Sequence, residues 1–195
     1  MSIRDWMDQG TRLFLSAVDG LSDDQFNGLT ALPGWTRAHV VAHVHFNAEA
    51  LRRLTRWART GEEVRMYADP VQRADEIEGG ALLPPAQLRE LVHTSALALA
   101  ADLDSLSHSS WSNEVVTAQG RTVPATEIPW MRTREVTVHA VDLRAGVGFA
   151  DLPDDLNAML AIDVVKKRSS SGEAAVLAEW LTGRTAASPT LGPWL

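Results

Sequence analysis

The chain has 195 residues, 45% of them apolar and 22% charged, the composition of one globular domain or of one domain with a small appendage. A formal charge of -7, with no basic run longer than Lys166-Lys167-Arg168, argues against a nucleic-acid partner, and the apolar runs are too short to cross a membrane. The absence of cysteine excludes disulfides, thiolate metal sites and a protein thiol nucleophile, so any thiol chemistry must bring its sulfur on a cofactor. The opening MSIRDWMDQG carries acid early and lacks an apolar signal core, so a cytoplasmic location is expected.

Ser2 caps a first helix in which Ile3, Trp6, Met7, Leu13, Phe14, Ala17 and Val18 recur at three- and four-residue spacing, and Gly20 ends it. Ser22-x-x-Gln25 is a capping box for a short second turn. Leu32-Pro33-Gly34-Trp35 makes a rigid turn, and Thr36 caps a long helix that runs to Thr60 and stops at Gly61. Val40, Val44, Leu51 and Leu54 form its apolar stripe. Asp69-Pro70 opens a short helix through Glu78, closed by Gly79-Gly80, within an otherwise irregular stretch. Pro84-Pro85 introduces a third long helix with Leu88, Leu91, Val92, Ser95, Leu99, Leu103 and Leu106 inward, and His93 and His108 read as solvated. Residues 114–124, EVVTAQGRTVP, read as two short strands around a Gln119-Gly120 turn. Thr126 then caps a helix with Pro129 in its first turn, in which Met131, Val138 and Val141 pack, and Gly146 and Gly148 end it. Residues 151–168 form a further helix with Leu156, Met159, Leu160 and Val164 inward. Ser169-Ser170-Ser171-Gly172 is a flexible junction, and a last helix runs from Glu173 to Thr182. The apolar Leu177, Trp180, Leu181 and Trp194 predict a docked tail. The expected fold is mainly α: a four-helix bundle with a short β-hairpin over 1–150 and a small appendage over 151–195.

The chemistry gathers around RTREVTVHAVDL. Glu135 and His139 are four apart, so on a helix they project from one face as half of a divalent-metal site. The best third ligand is His43 in GWTRAHVVAHVHFN, although His39 and His43 are also four apart and form a rival pair. His45 points roughly 200° from His43 and cannot share its metal. His/Glu/His ligation leaves one coordination position open, as catalytic sites require. A buried hydrogen-bonded Glu–His pair without metal is the plainer alternative. Asn47 lies one turn beyond His43 on the same face, and Asp142 or a backbone carbonyl is expected to orient His139. Arg73, taken alone, is a surface arginine.

Four stretches together resemble the mycothiol-dependent maleylpyruvate isomerases, whose metal-binding part is a DinB-like four-helix bundle: GWTRAHVVAHVHFNAEAL, MYADPVQRADEI, VVTAQGRTVPATEIPWMRTREVTVHAVDL and the closing GPWL. The resemblance covers residues from about 30 to 155. It implies that His43, Glu135 and His139 are zinc ligands, which favours His43 over His39. It implies that Arg73, in VQRADEI, and Arg184, after Gly183, are active-site arginines; Asn47, from its place one turn beyond His43, is expected to neighbour the cofactor. The implied reaction converts maleylpyruvate to fumarylpyruvate in gentisate breakdown. A thiolate adds to the cis double bond, the resulting single bond rotates, and the thiolate leaves. Mycothiol would supply that sulfur, which fits a chain without cysteine. The expected protein is a monomer acting on a small molecule, with no nucleic-acid or membrane partner. A mycothiol S-transferase and a non-catalytic metal- or thiol-binding module are the alternatives. The α/β lobe that follows the bundle in this family reads as shortened: 45 residues follow Ala150, with no strand pattern among them.

Overall fold

In the computed structural model, which describes residues 1–192, the chain forms two compact units that meet at Asp151 and Leu152. The first contains α1 (Ile3–Asp19), α2 (Arg37–Thr60), α3 (Pro70–Ala81), α4 (Pro85–Asp104), β1 (Glu114–Val116), β2 (Thr122–Pro124) and α5 (Ile128–Asp142). The second contains α6 (Asp154–Arg168) and α7 (Ala174–Leu181). The fold is mainly α, as the periodicity predicts. Among the described residues, no helix is long and apolar enough to cross a membrane.

The helices begin where the sequence supplies caps. Ser2 and Asp5 form a full capping box on α1, and Ser22 and Gln25 form another on a single 3₁₀ turn. Asp69 caps α3 by accepting from the Gln72 amide. α5 departs from expectation, because a 3₁₀ turn at Ala125–Glu127 precedes it and Thr126 makes no cap. The two strands pair antiparallel with Val115 opposite Val123, as the turn predicts.

α1, α2, α4 and α5 make a four-helix bundle, with α3 laid on α2. Phe14, Val18, Val40, Val44, Leu88, Val136 and Leu143 fill one end of the core; Met7, Leu51, Leu54, Leu99, Leu103 and Ile128 fill the other. α2 serves both, and His43 sits beside Val44 on it. Two glycines set how closely neighbours approach. A Cβ on Gly10 of α1 would lie 2.5 Å from Thr137 Cγ2, and one on Gly80 would lie 2.9 Å from Ala42 Cβ. The second contact explains a difference from the sequence reading. α3 continues through Gly79-Gly80 to Ala81, and Gly80 lets it lie close on α2 rather than ending it.

The packing face of α5 also differs. Val136, Ala140 and Leu143 are buried together with Thr133 and Thr137, whereas Val138 and Val141 are only partly covered. The helix ends earlier than its glycines suggest, and Arg144 enters the left-handed region at φ 49°.

In the second unit, residues Ser169–Glu173 form one wide helical turn that joins α6 to α7, with the bend at Gly172 (φ 95°). The serine run is thus ordered rather than a loose junction, and Arg168 pins it by pairing with Glu173 Oε2 at 3.0 Å. Leu156, Leu160 and Leu177 are buried, but Met159, Trp180 and Leu181 are exposed, against expectation. No strand occurs among the described residues of this unit. Trp194 and most of the GPWL segment lie outside the described residues.

Candidate metal centre

α2 and α5 run antiparallel, so residues early in one face residues late in the other. His43 of α2 thereby meets Glu135 and His139 of α5. His43 Nε2 lies 2.8 Å from Glu135 Oε2, and His139 Nε2 lies 3.4 Å from the same oxygen. One ligand atom from each residue falls within 4.8 Å of the others. The two imidazoles meet edge to face at 4.8 Å between centroids, and both are almost fully buried.

The pattern fits a divalent cation. Two imidazole nitrogens and a carboxylate oxygen are a common donor set for zinc. Both Nε2 atoms aim at one point, and His139 Nε2 is buried with no hydrogen-bond partner, an arrangement that a purely structural pair would avoid. His139 Nδ1 is 2.8 Å from Asp142 Oδ2, which meets the expectation that Asp142 orients this ring.

Charge within the cluster is unevenly held. Burial pushes His43 below its ordinary value. Burial also pushes His139 down, but Asp142 and Glu135 outweigh it and raise the ring to about 9. Burial would raise Glu135, yet the two histidines beside it hold its carboxyl well below the usual carboxylate range.

The wall of the site comes from three further segments. Arg73, on α3, reaches His43 Nδ1 across 3.4 Å with Nη2. Tyr67 neighbours Arg73; burial raises its phenol, and Arg73 opposes the rise. Trp35 lies 5.4 Å from the His43 ring, centroid to centroid. The loop carrying Trp35 is tied to α5 by the Ala31 amide donating to the Asp142 carbonyl, and it is closed on itself by Thr30 Oγ1 donating to the Trp35 carbonyl.

His39 is occupied elsewhere. Its Nδ1 is 2.7 Å from Thr36 Oγ1 and accepts from the Thr36 amide, which completes the capping box of α2, and its Nε2 is 3.4 Å from Glu78. The rival His39–His43 pair therefore does not form. His93 is likewise engaged, at 2.9 Å from Asp19. Asn47 is buried, with Oδ1 accepting from Arg132 at 2.9 Å. Arg184 lies in the second unit, exposed, with Nη1 donating to the Thr182 carbonyl two residues away.

Three residues of the site went unread in the sequence. Tyr67 sits inside the MYADP segment and Trp35 follows the Pro-Gly turn, so both had positional signals without a chemical one. Arg132 gave no signal at all, since an arginine in a helix is ordinarily solvated, yet this one is fully buried.

Comparison with known proteins follows the same residues. The family model described as mycothiol maleylpyruvate isomerase N-terminal domain matches residues 7–144, which include the whole triad and Arg73. A crystal structure of a mycothiol-dependent maleylpyruvate isomerase is 41% identical, with a TM-score of 0.85, over 88% of this chain and 73% of that one. A structure of a histidine-to-alanine mutant of such an isomerase is similar at 40% identity, with the same TM-score and coverage. No curated protein gives a significant match. On the extent of the family match and the identity to these structures, the chain belongs to the mycothiol maleylpyruvate isomerase family.

Proposed function

We propose that this protein isomerises maleylpyruvate to fumarylpyruvate, a step of gentisate breakdown, with mycothiol as cofactor and zinc held by His43, Glu135 and His139. The observation that supports this best is the buried convergence of a histidine from α2 with a Glu–His pair from α5. Zinc at that point would supply a Lewis acid that lowers the pKa of a bound thiol.

The chain's own residues supply binding, orientation and charge. Three protein ligands leave a coordination position open. Asp142 accepts a hydrogen bond from the Nδ1–H of His139, which leaves the Nε2 lone pair facing the centre. Arg73 stands beside the triad with a guanidinium suited to a substrate carboxylate, and it would stabilise the enolate charge that develops when a nucleophile adds to the conjugated alkene. Arg184 takes the second carboxylate in this reading. Asn47, one turn beyond His43 on α2, neighbours the thiol cofactor in this reading. Trp35 covers His43 and keeps water from that side.

The test is an assay of zinc-loaded, dialysed protein on maleylpyruvate with and without mycothiol. Fumarylpyruvate should form only with thiol present. Equal rates in both arms would overturn the thiol mechanism, and a stable thioether as end product would make the protein an S-transferase instead.

A further inference from the structure

Arg132 is the largest fully buried side chain in the bundle, and the function described above does not use it. Its Nη1 donates to the Val44 carbonyl at 2.7 Å and to Asn47 Oδ1 at 2.9 Å. Val44 directly follows His43, and Arg132 precedes Glu135 by three residues on the same side of α5. A second arginine ties the same helices at the far end of the triad. Arg37 of α2 donates from Nε to the Leu143 carbonyl at 2.7 Å and from Nη2 to the Arg144 carbonyl at 3.0 Å. The metal triad lies between these two ties, which together fix the register of α2 on α5.

Burying a cation costs several kcal/mol, and an apolar residue of similar volume would pack such a seam with less penalty. The cost is compensated only if the charge and the fork of donors have work to do there. The two hydrogen bonds of Arg132 hold the turn that carries His43. Burial lowers the guanidinium to about 10, so it remains charged at neutral pH. Lysine offers a point charge without the planar fork, and methionine offers the volume alone.

We propose that Arg132 is a positioning residue for the metal centre, setting the His43–Glu135 separation through Val44 and Asn47. This rests on the metal reading of the triad. Residues that hold metal ligands in place typically contribute about 10- to 100-fold to metal affinity. The experiment is competition for zinc against a chromophoric chelator, with the visible spectrum of the cobalt-substituted protein as a second readout. Wild type, Arg132→Met, Arg132→Gln, Arg132→Lys and Asn47→Ala are compared, with Gly10→Ala as the control for a loosened bundle. Arg132→Met should bind zinc about 10- to 100-fold more weakly and shift the cobalt bands. Arg132→Lys should recover part of that loss, and Gly10→Ala should leave affinity within about threefold of wild type. If the methionine variant does not fold, Arg132→Gln and Asn47→Ala, which keep a polar or shortened side chain in the seam, must show the same loss. Wild-type affinity with an unshifted cobalt spectrum in the folded Arg132 variants would overturn the proposal. Wild-type protein that takes up neither metal would overturn the metal reading itself, and this proposal with it.

Discussion

The two faces of α5 are built on opposite rules. Toward α1 it presents Thr133, Val136, Thr137 and Ala140, all fully buried, against a glycine. The threonine hydroxyls are satisfied inside the helix, Thr133 donating to the Pro129 carbonyl at 2.8 Å and Thr137 to the Thr133 carbonyl at 2.7 Å, so each shows α1 only a methyl group. Toward α2 the same helix presents Arg132, Glu135, His139 and Asp142, which make polar contacts beside the shared apolar core. The first seam contributes stability by close packing. The second is a poor source of stability, because charges taken from water recover little more than their desolvation, and it is a good source of a ligand constellation. One helix thus joins the part that holds the fold together to the part that does chemistry.

Breaking the polar seam should have the largest effect. Glu135→Ala removes the oxygen that both imidazoles face, leaves buried Arg132 without its neighbouring carboxylate, and leaves His139 with Asp142 alone. We expect the purified variant to carry no stoichiometric zinc by elemental analysis. Its metal-free form should lose about 3 kcal/mol in urea denaturation. Zinc retained at one per chain would place the metal elsewhere.

Breaking the apolar seam should cost somewhat less and spare the metal. In Gly10→Ala, the new methyl meets Thr137 Cγ2 at 2.5 Å, and turning that methyl away disturbs the bond from Thr137 Oγ1 to the Thr133 carbonyl. The strain, about 2 kcal/mol, exceeds the gain of about 1 kcal/mol from replacing glycine within a helix. A more stable Gly10→Ala protein would show that the α1–α5 approach is looser than described.

A pH experiment sharpens the difference between the seams. His139 is raised to about 9 from 6.5, so in metal-free protein it stays protonated through neutral pH. Its charged form therefore contributes stability that is complete below pH 6.5 and is lost as pH rises through about 9. A ligand histidine must be neutral, so zinc uptake between pH 7 and 8 should expel about one proton. Titration calorimetry in buffers of different ionisation enthalpy measures that count. Binding without proton release would mean that the ring is already neutral.

Two smaller effects bound the comparison. Thr36→Ala should cost about 1 kcal/mol by removing the cap of α2. His39→Gln keeps a capping-box residue and should bind zinc like wild type, so a loss of zinc there would revive His39 as a ligand. Arg4→Ala breaks an exposed pair with Asp104 and should change the midpoint of denaturation by less than about 1 kcal/mol.

The sequence made the polar seam easier to read than the apolar one, which reverses the usual order. Glu135 and His139 stand four apart and announce a shared face, and a histidine-rich helix supplies few partners to choose from. The apolar face of α5 was misplaced onto Val138 and Val141 because a pattern of apolar letters scores threonine as polar. Thr133 and Thr137 behave as apolar once their hydroxyls turn back onto the helix. Arg132 was illegible for the converse reason, since burial of an arginine depends on acceptors that only the folded partner provides. Gly79-Gly80 misled because glycine ends helices on average, while here the lack of a side chain at Gly80 serves packing against Ala42. The serine run before Glu173 carries a loop composition, yet Arg168 supplies an ion pair that composition does not record.

The pairing of α1 with α5 bears on the order in which the molecule is made. α3 and α4 follow α2 in sequence and both pack on it, so their contacts close short loops and can form early. α1 leaves the ribosome first, but Trp6, Gly10 and Phe14 lie on a face whose main partner is synthesised more than a hundred residues later. Until α5 emerges, α1 has the ion pairs of Arg4 and Asp19 and a smaller apolar contact to hold it near α4. The step that seats α1 is also the step that fixes Glu135 and His139 in place from behind. Completion of the ligand set and closure of the bundle are thus one late event, and a nascent chain stalled before Asp142 would display an unpaired apolar helix to chaperones.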